Sequence, residues 1–337
     1  MKLAHLLIAL LILGSFCLAE NPPGTVKQIA PGVWFRQGDT RGGTGISNNI
    51  IIEMKDYLVI VDANYPSGAR LVIDLAKTLS PKPIRWVINT HHHPDHSYGN
   101  RFFTQAGATT IAYIGAYEEM ERYEPQTWQQ VSKERQDVRE LNLAAPEPPM
   151  LLYTTSPYVI TDGARRVELH HFMFGHTRGD TFVYLPKEKI LCTGDAVVNG
   201  PYSDPKNAYM GNWSNEIRAA QQLDVEYVLP GHGDPGGKEL LEGEIRFFDA
   251  LYKAVEAEVK NGKKLEQLVT MGPNGRPVAT TIRLPKSIQD VYVFKPSPTL
   301  PRYAVFRFPT QVMATYEEIT HGKPYADVAL AAGKPPE

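Results

Sequence analysis

Thr90-His91-His92-His93-Pro94-Asp95-His96 is the stretch that most limits what this chain can fold into. Four imidazoles and a carboxylate crowd together directly after Ile84-Arg-Trp-Val-Ile-Asn89, a run that reads as a buried strand. Strand ends open onto loops whose polar residues are held by a rigid frame. Imidazole nitrogen and carboxylate oxygen are suitable ligands for zinc and similar divalent ions. In an extended segment, residues i and i+2 point the same way. His91 and His93 are therefore placed to grip one ion together, and His92 between them should point away. Asp95 and His96 follow Pro94, where the chain must turn, and are placed to face a second ion. The bland alternative is a solvated polyhistidine run, which the position directly after a buried strand disfavours.

Three further signals follow in order: His176 in Phe174-Gly-His-Thr-Arg-Gly-Asp, Asp195 in Leu191-Cys-Thr-Gly-Asp, and His232 in Leu229-Pro-Gly-His-Gly-Asp. Each lies beside glycine, which lets the backbone turn sharply and approach a site closely. A single Gly-His is more often a turn than a ligand. After the first cluster, the set is far more specific.

Around these signals, apolar spacing predicts an edge strand at 25–37 turning at Pro31-Gly32, a hairpin of strands 48–54 and 57–63, a helix at 67–79 and strands at 84–89 and 109–112. Residues 115–142 read as a helical insertion, closed by the Pro-rich loop 145–149. Strands at 151–154, 166–173, 181–185, 189–193 and 226–229 alternate with helices near 213–223 and at 238–260. Helices interspersed among strands in both halves imply an α/β fold with two sheets covered by helices, a four-layer αββα sandwich. Residues 20–261 form this body. Residues 262–337, with a helical signal near 310–319, read as a C-terminal extension.

Residues 1–19 read as a cleaved secretory signal peptide. Lys2 supplies the positive start, Leu6–Leu13 is apolar, and small residues lead to Ala19. The apolar run is short for a membrane span, which needs about 20 residues. A lipoprotein would need a small residue before Cys17, where Phe16 stands. The mature chain is expected in the periplasm or secreted, free of the membrane, with Cys192 as its lone thiol in a buried strand. Lys plus Arg total 35 against 37 Asp plus Glu, a balance that argues against a nucleic-acid partner; the small-molecule substrate expected instead rests on the resemblance that follows.

Over roughly residues 25–260 the chain resembles the metallo-β-lactamase superfamily, through Asp62 after an early strand, the His91–His96 block, His176, Asp195 and His232 in that order. The resemblance implies that His91, His93 and His176 hold one metal ion, that Asp95, His96 and His232 hold another, and that Asp195 bridges them. Asp62 would support the histidine block without being a ligand. The implied cofactor is Zn2+, two per chain, with iron or manganese as alternatives. The implied chemistry is a metal-bridging hydroxide, generated because paired ions lower the pKa of a shared water to about 7. It would attack the carbonyl of an ester, thioester, lactone or β-lactam, with Asp95 as the catalytic residue that orients it and passes a proton to the leaving group.

Departures from family branches narrow this. One lactamase branch carries cysteine in place of Asp195 and lysine three residues on, where this chain has Val198; another has serine for the bridging acid. Asp195 is more similar to the thioesterase, lactonase and ribonuclease branches. The basic C-terminal segment of glyoxalase II-type thioesterases is not found here, and glutamate at the place of His93 sets the flavodiiron branch apart. Asp95-His-Ser-Tyr-Gly-Asn100 and the 238–260 helix resemble exported hydrolases associated with quinoprotein and sulfur-oxidation systems. Two other readings stand beside hydrolysis: a mononuclear iron enzyme like the persulfide dioxygenases, and a metal-stabilised periplasmic maturation or binding factor.

Overall fold

The computed structural model describes residues 21–39, 45–199, 203–288 and 303–332. The expected signal at 1–19 lies outside the described residues. The first sheet runs in chain order: β1 (Val26–Ala30), β2 (Val33–Arg36), β3 (Asn49–Glu53), β4 (Leu58–Val61), β5 (Ile84–Ile88), β6 (Thr109–Tyr113) and β7 (Leu151–Tyr153). β1 to β4 pair antiparallel, and β4 to β7 pair parallel. The crossovers are α1 (Pro66–Leu79), then α2 (Pro94–Ser97) with α3 (Asn100–Gln105), then α4 (Ile114–Glu134) with α5 (Gln136–Arg139). The second sheet has the order β12-β11-β10-β9-β8, made of β8 (Tyr158–Thr161), β9 (Arg166–His170), β10 (Phe182–Leu185), β11 (Ile190–Gly194) and β12 (Tyr227–Pro230). α6 (Trp213–Ala220) joins β11 to β12, and α7 (Lys238–Lys260) follows.

Alternation along β3 shows why the layers stack. Ile50 and Ile52 face the second sheet, where they meet Val167, Leu169, Val183 and Leu185. Ile51 faces outward and packs with Ala69, Val72 and Ala76 of α1. All three isoleucines are buried because both faces are covered, and each contributes about 1.5–3 kcal/mol. On the far side, Phe182, Tyr184 and Leu191 of the second sheet pack under Trp213, Ile217, Phe248 and Leu251 of α6 and α7. The result is the expected αββα sandwich.

Local differences from the sequence expectations have physical causes. β8 was not expected: it is the edge of its sheet, only four residues long, with Ile160 its only buried residue. The strand expected over 166–173 stops at His170, because the chain leaves the sheet to carry His176 inward. The extension contains more structure than its one helical signal suggests. After α8 (Leu265–Leu268) come the hairpin β13 (Val269–Met271) and β14 (Pro277–Thr280), α9 (Lys286–Ile288), α10 (Tyr303–His321) and α11 (Tyr325–Ala331). Pro309 lies inside α10, and the helical signal near 310–319 marks only the part of the helix that follows it. Phe308, Val312 and Met313 of α10 join the core built on α6 and α7.

Candidate metal centre

The polar clusters all emerge at strand ends on one rim of the sandwich. Parallel β4 and β5 deliver Asp62 and the histidine block; parallel β11 and β12 deliver Asp195 and His232. The last two loops lie in contact, with the Gly231 amide donating to the Gly194 carbonyl at 2.8 Å. A Cβ on Gly231 would lie 2.1 Å from Asp195 Oδ1, so only glycine admits the carboxylate there. Gly194 has φ +51°, which favours glycine, and a Cβ there would meet Thr90 Oγ1 at 2.5 Å.

The seven residues expected to hold metal converge. His91, His93 and His176 form one group; Asp95, His96 and His232 form another; His91, His96 and Asp195 join the two. Within each group the donor atoms lie within 4.8 Å of one another. His176 Nε2 is 3.2 Å from His93 Nδ1. His232 Nε2 is 3.1 Å from Asp95 Oδ2 and 3.3 Å from Asp195 Oδ2, and His96 Nε2 is 3.3 Å from Asp195 Oδ1. The bonds made by the opposite ring nitrogens set which atom faces inward. Thr90 Oγ1 holds His91 Nδ1 at 3.0 Å, Asp62 Oδ2 holds His96 Nδ1 at 2.8 Å, and Asn207 Oδ1 holds His93 Nε2 at 3.0 Å.

The donor set fits cations. Among the described residues, His91 Nε2, His96 Nε2 and Asp195 Oδ1 are buried without a hydrogen-bond partner. A buried polar atom left unpaired costs about 1–3 kcal/mol, and a divalent ion among them removes that cost. Electrostatics divide the site into two poles. Burial, then repulsion from neighbouring imidazoles, holds His91 and His176 well below the ordinary histidine range and brings His93 to about 4. All three are neutral, the form that donates a lone pair. At the other pole, burial opposes charging of His96 and His232, but Asp195 and Asp95 outweigh it. His232 rises to about 9 and His96 stands well above its usual range. Burial likewise opposes ionising Asp95, yet His96 and His232 bring it down to about 2. In the absence of a cation, protons on these imidazoles supply the positive charge that the carboxylates demand.

His92 points away from the centre, as expected. Its Nδ1 is 3.1 Å from Glu119 Oε2 and its Nε2 is 3.8 Å from Glu124 Oε1, both on α4. Asp62 takes up the supporting role: besides His96, its carboxylate accepts from the Thr90 amide at 2.8 Å and the Thr90 hydroxyl at 2.9 Å. It does so from φ +68°, a left-handed conformation costly for a non-glycine residue. His170 bonds Glu168 at 2.9 Å, and His171 stacks on Tyr113 at 3.7 Å, so both are packing residues. Cys192 is buried between the sheets, and burial pushes its thiol up.

Sequence reasoning missed Asn207 and the run Ser47-Asn48-Asn49. Ser47 Oγ donates to the Asp95 carbonyl, Asn48 Nδ2 donates to the carbonyls of Pro230 (2.9 Å) and Gly233 (2.8 Å), and Asn49 Nδ2 donates to the Asp62 carbonyl at 2.8 Å. This run ties three of the loops together. Its one sequence signal is two asparagines opening an otherwise apolar strand.

The model of the metallo-beta-lactamase superfamily matches residues 42–232. A metallo-beta-lactamase type 2 of Bacillus cereus is 25% identical over 234 residues, covering 66% of this chain and 82% of the relative. The structure of a metallo-beta-lactamase from Pontibacter korlensis matches with a TM-score of 0.54 at 20% identity, over 67% of this chain and 98% of that one. One from Hirschia baltica matches with a TM-score of 0.52 at 23% identity, over 66% and 97%. The solved structures share the fold, and the family match spans more than half of the sequence and every residue of the centre from Asp62 to His232. The chain therefore belongs to the metallo-beta-lactamase superfamily.

Proposed function

We propose that this chain, a metal-dependent hydrolase of that superfamily, binds two zinc ions and hydrolyses an ester, thioester, lactone or β-lactam outside the cytoplasm. The observation that carries this reading is the convergence of two donor groups, one of neutral histidines and one rich in carboxylate, with Asp195 beside both. A structural zinc site is normally closed by four ligands, so a larger, paired set argues for chemistry over scaffolding. When bound, such a pair of ions supplies Lewis acidity and lowers the pKa of a coordinated water to about 7.

The protein's own groups supply orientation and proton handling. Asp95 is held ionised, and its side chain is 17% exposed against 8% for Asp195. Asp95 is thus the carboxylate open to a substrate. Its carboxylate accepts a proton from the attacking water and releases it to the departing oxygen, sulfur or nitrogen. Ser47 and the α2 helical turn fix the Asp95 backbone, so the carboxylate enters the reaction already oriented. The three histidines of the other group stay neutral and leave that pole free to face a polarised carbonyl oxygen. The acid at position 195 favours esters, thioesters and lactones, while the named activity of the Bacillus relative keeps β-lactams in the test.

A hydrolysis panel on the zinc-loaded chain tests this: nitrocefin, acyl-homoserine lactones, glutathione and coenzyme A thioesters, and aryl esters. Turnover of at least one class, lost on chelation and restored by zinc, is expected. A chain that holds a single iron and consumes oxygen with a persulfide would overturn the hydrolytic reading.

A further inference from the structure

We infer that the C-terminal extension completes the metal centre, by clamping the 203–212 loop so that Asn207 fixes the orientation of His93. The inference rests on the reading of His93 as a ligand and adds two things to it: a positioning residue, and a task for a segment beyond the family match.

Asn207 is 1% exposed, and its Oδ1 accepts from His93 Nε2 at 3.0 Å. That bond places the ring proton on Nε2 and turns the lone pair of Nδ1 toward His176. The other end of the amide, Nδ2, is buried without a partner among the described residues. Leaving a buried N–H unpaired costs about 1–3 kcal/mol, so Asn207 is poorly explained as a packing residue and well explained by what its oxygen does. Metal-binding histidines commonly depend on such a partner at the far ring nitrogen.

Asn207 lies in no helix or strand, and its loop is fixed from outside. On its N-terminal side, Gln311 Nε2 of α10 donates to the Ser203 carbonyl at 3.2 Å, and Arg307 pairs with Asp204 at 2.6 Å. The Ala326 amide of α11 donates to the Lys206 carbonyl at 3.0 Å. On its C-terminal side, the Glu318 carboxylate of α10 receives the Met210 amide and the Gly211 amide, the latter at 3.0 Å. The extension thus grips the loop on both sides of Asn207. The Tyr209 amide also donates to the Gly175 carbonyl at 2.8 Å, which ties the loop to the segment carrying His176. α11 closes the ring on the other side, where Asp327 accepts from Tyr123 Oη of α4 and pairs with Arg122 at 2.8 Å. The insertion that holds His92 and the extension that holds Asn207 are therefore joined behind the centre.

The test measures metal affinity in the full chain by chelator competition, together with the absorption spectrum of the Co2+-loaded protein. Asn207→Leu removes the acceptor at similar volume and is expected to weaken the tighter-affected ion by about 10–100-fold and to alter the Co2+ bands. Asn207→Asp keeps an acceptor and is expected to stay within a few-fold of wild type. Glu318→Ala, remote from the donors, is expected to weaken the same ion several-fold. Wild-type affinity and spectrum in Asn207→Leu would overturn the inference while leaving the centre intact, as would equal losses in Asn207→Leu and Asn207→Asp. Unchanged affinity in Glu318→Ala would overturn the role of the extension. A wild-type chain that takes up no metal would overturn the centre itself, and the inference with it.

Discussion

Among single residues, Asp95 and His176 separate binding from chemistry. Both approach the donor cluster, but His176 offers a buried neutral nitrogen while Asp95 offers a charged oxygen near the opening. Asp95→Asn keeps an oxygen donor and loses the ability to carry a proton. It is expected to retain most of its metal and to lose turnover by about 10²–10⁴-fold, the usual range for a positioned acid–base group. His176→Ala is expected to lose metal itself. Metal analysis of both variants, read against their rates, checks this; full turnover in Asp95→Asn would remove the proton-handling role. At this scale the sequence was legible wherever donors were dense or flanked by glycine: the histidine block, His176, Asp195 and His232. It was opaque at Asn207, because Asp204-Pro-Lys-Asn207 has the composition of any turn and acquires meaning only when the chain brings it to His93.

The secondary elements show the same division. Periodicity gives the sandwich strands and the long helices, since those must bury a regular face. It says little about β8, an edge strand with little to bury, or about the extension, whose hairpin strands are short and whose long helix α10 contains a proline. It also does not reveal why α4 is there. Glu119 and Glu124 of that helix face His92, so the insertion props the histidine block from behind. Burial raises Glu119 from 4.5 to about 8 and lowers His92 to about 3, so the two meet as neutral partners. A carboxyl that keeps its proton when folded, and loses it near pH 4.5 when unfolded, favours the folded state fully at low pH. That contribution is lost as pH rises toward about 8. Glu119→Gln cannot ionise, and its amide matches the protonated acid in shape. Relative to this variant, wild-type stability is expected to fall between pH 5 and pH 8, by up to about 1.4 kcal/mol per pH unit. Urea midpoints at several pH values check it, and parallel curves for the two proteins would contradict it.

For the whole molecule, the sandwich is a device for gathering strand ends. Two sheets pressed face to face place the ends of β4, β5, β11 and β12 at one rim, so residues far apart in sequence meet there. The surrounding loops are then tied to each other by Ser47, Asn48 and Asn49 and, from outside the family match, by α10 and α11. The donors are held in place by these bonds, and without an ion the carboxylates are balanced only by protons on His96 and His232. Anomalous diffraction from crystals of the zinc-loaded chain addresses this most directly. Two peaks should appear, one among His91, His93 and His176 and one among Asp95, His96 and His232, both within reach of Asp195. No peak at this rim, or zinc bound only elsewhere on the protein, would contradict the paired centre and the hydrolytic function built on it.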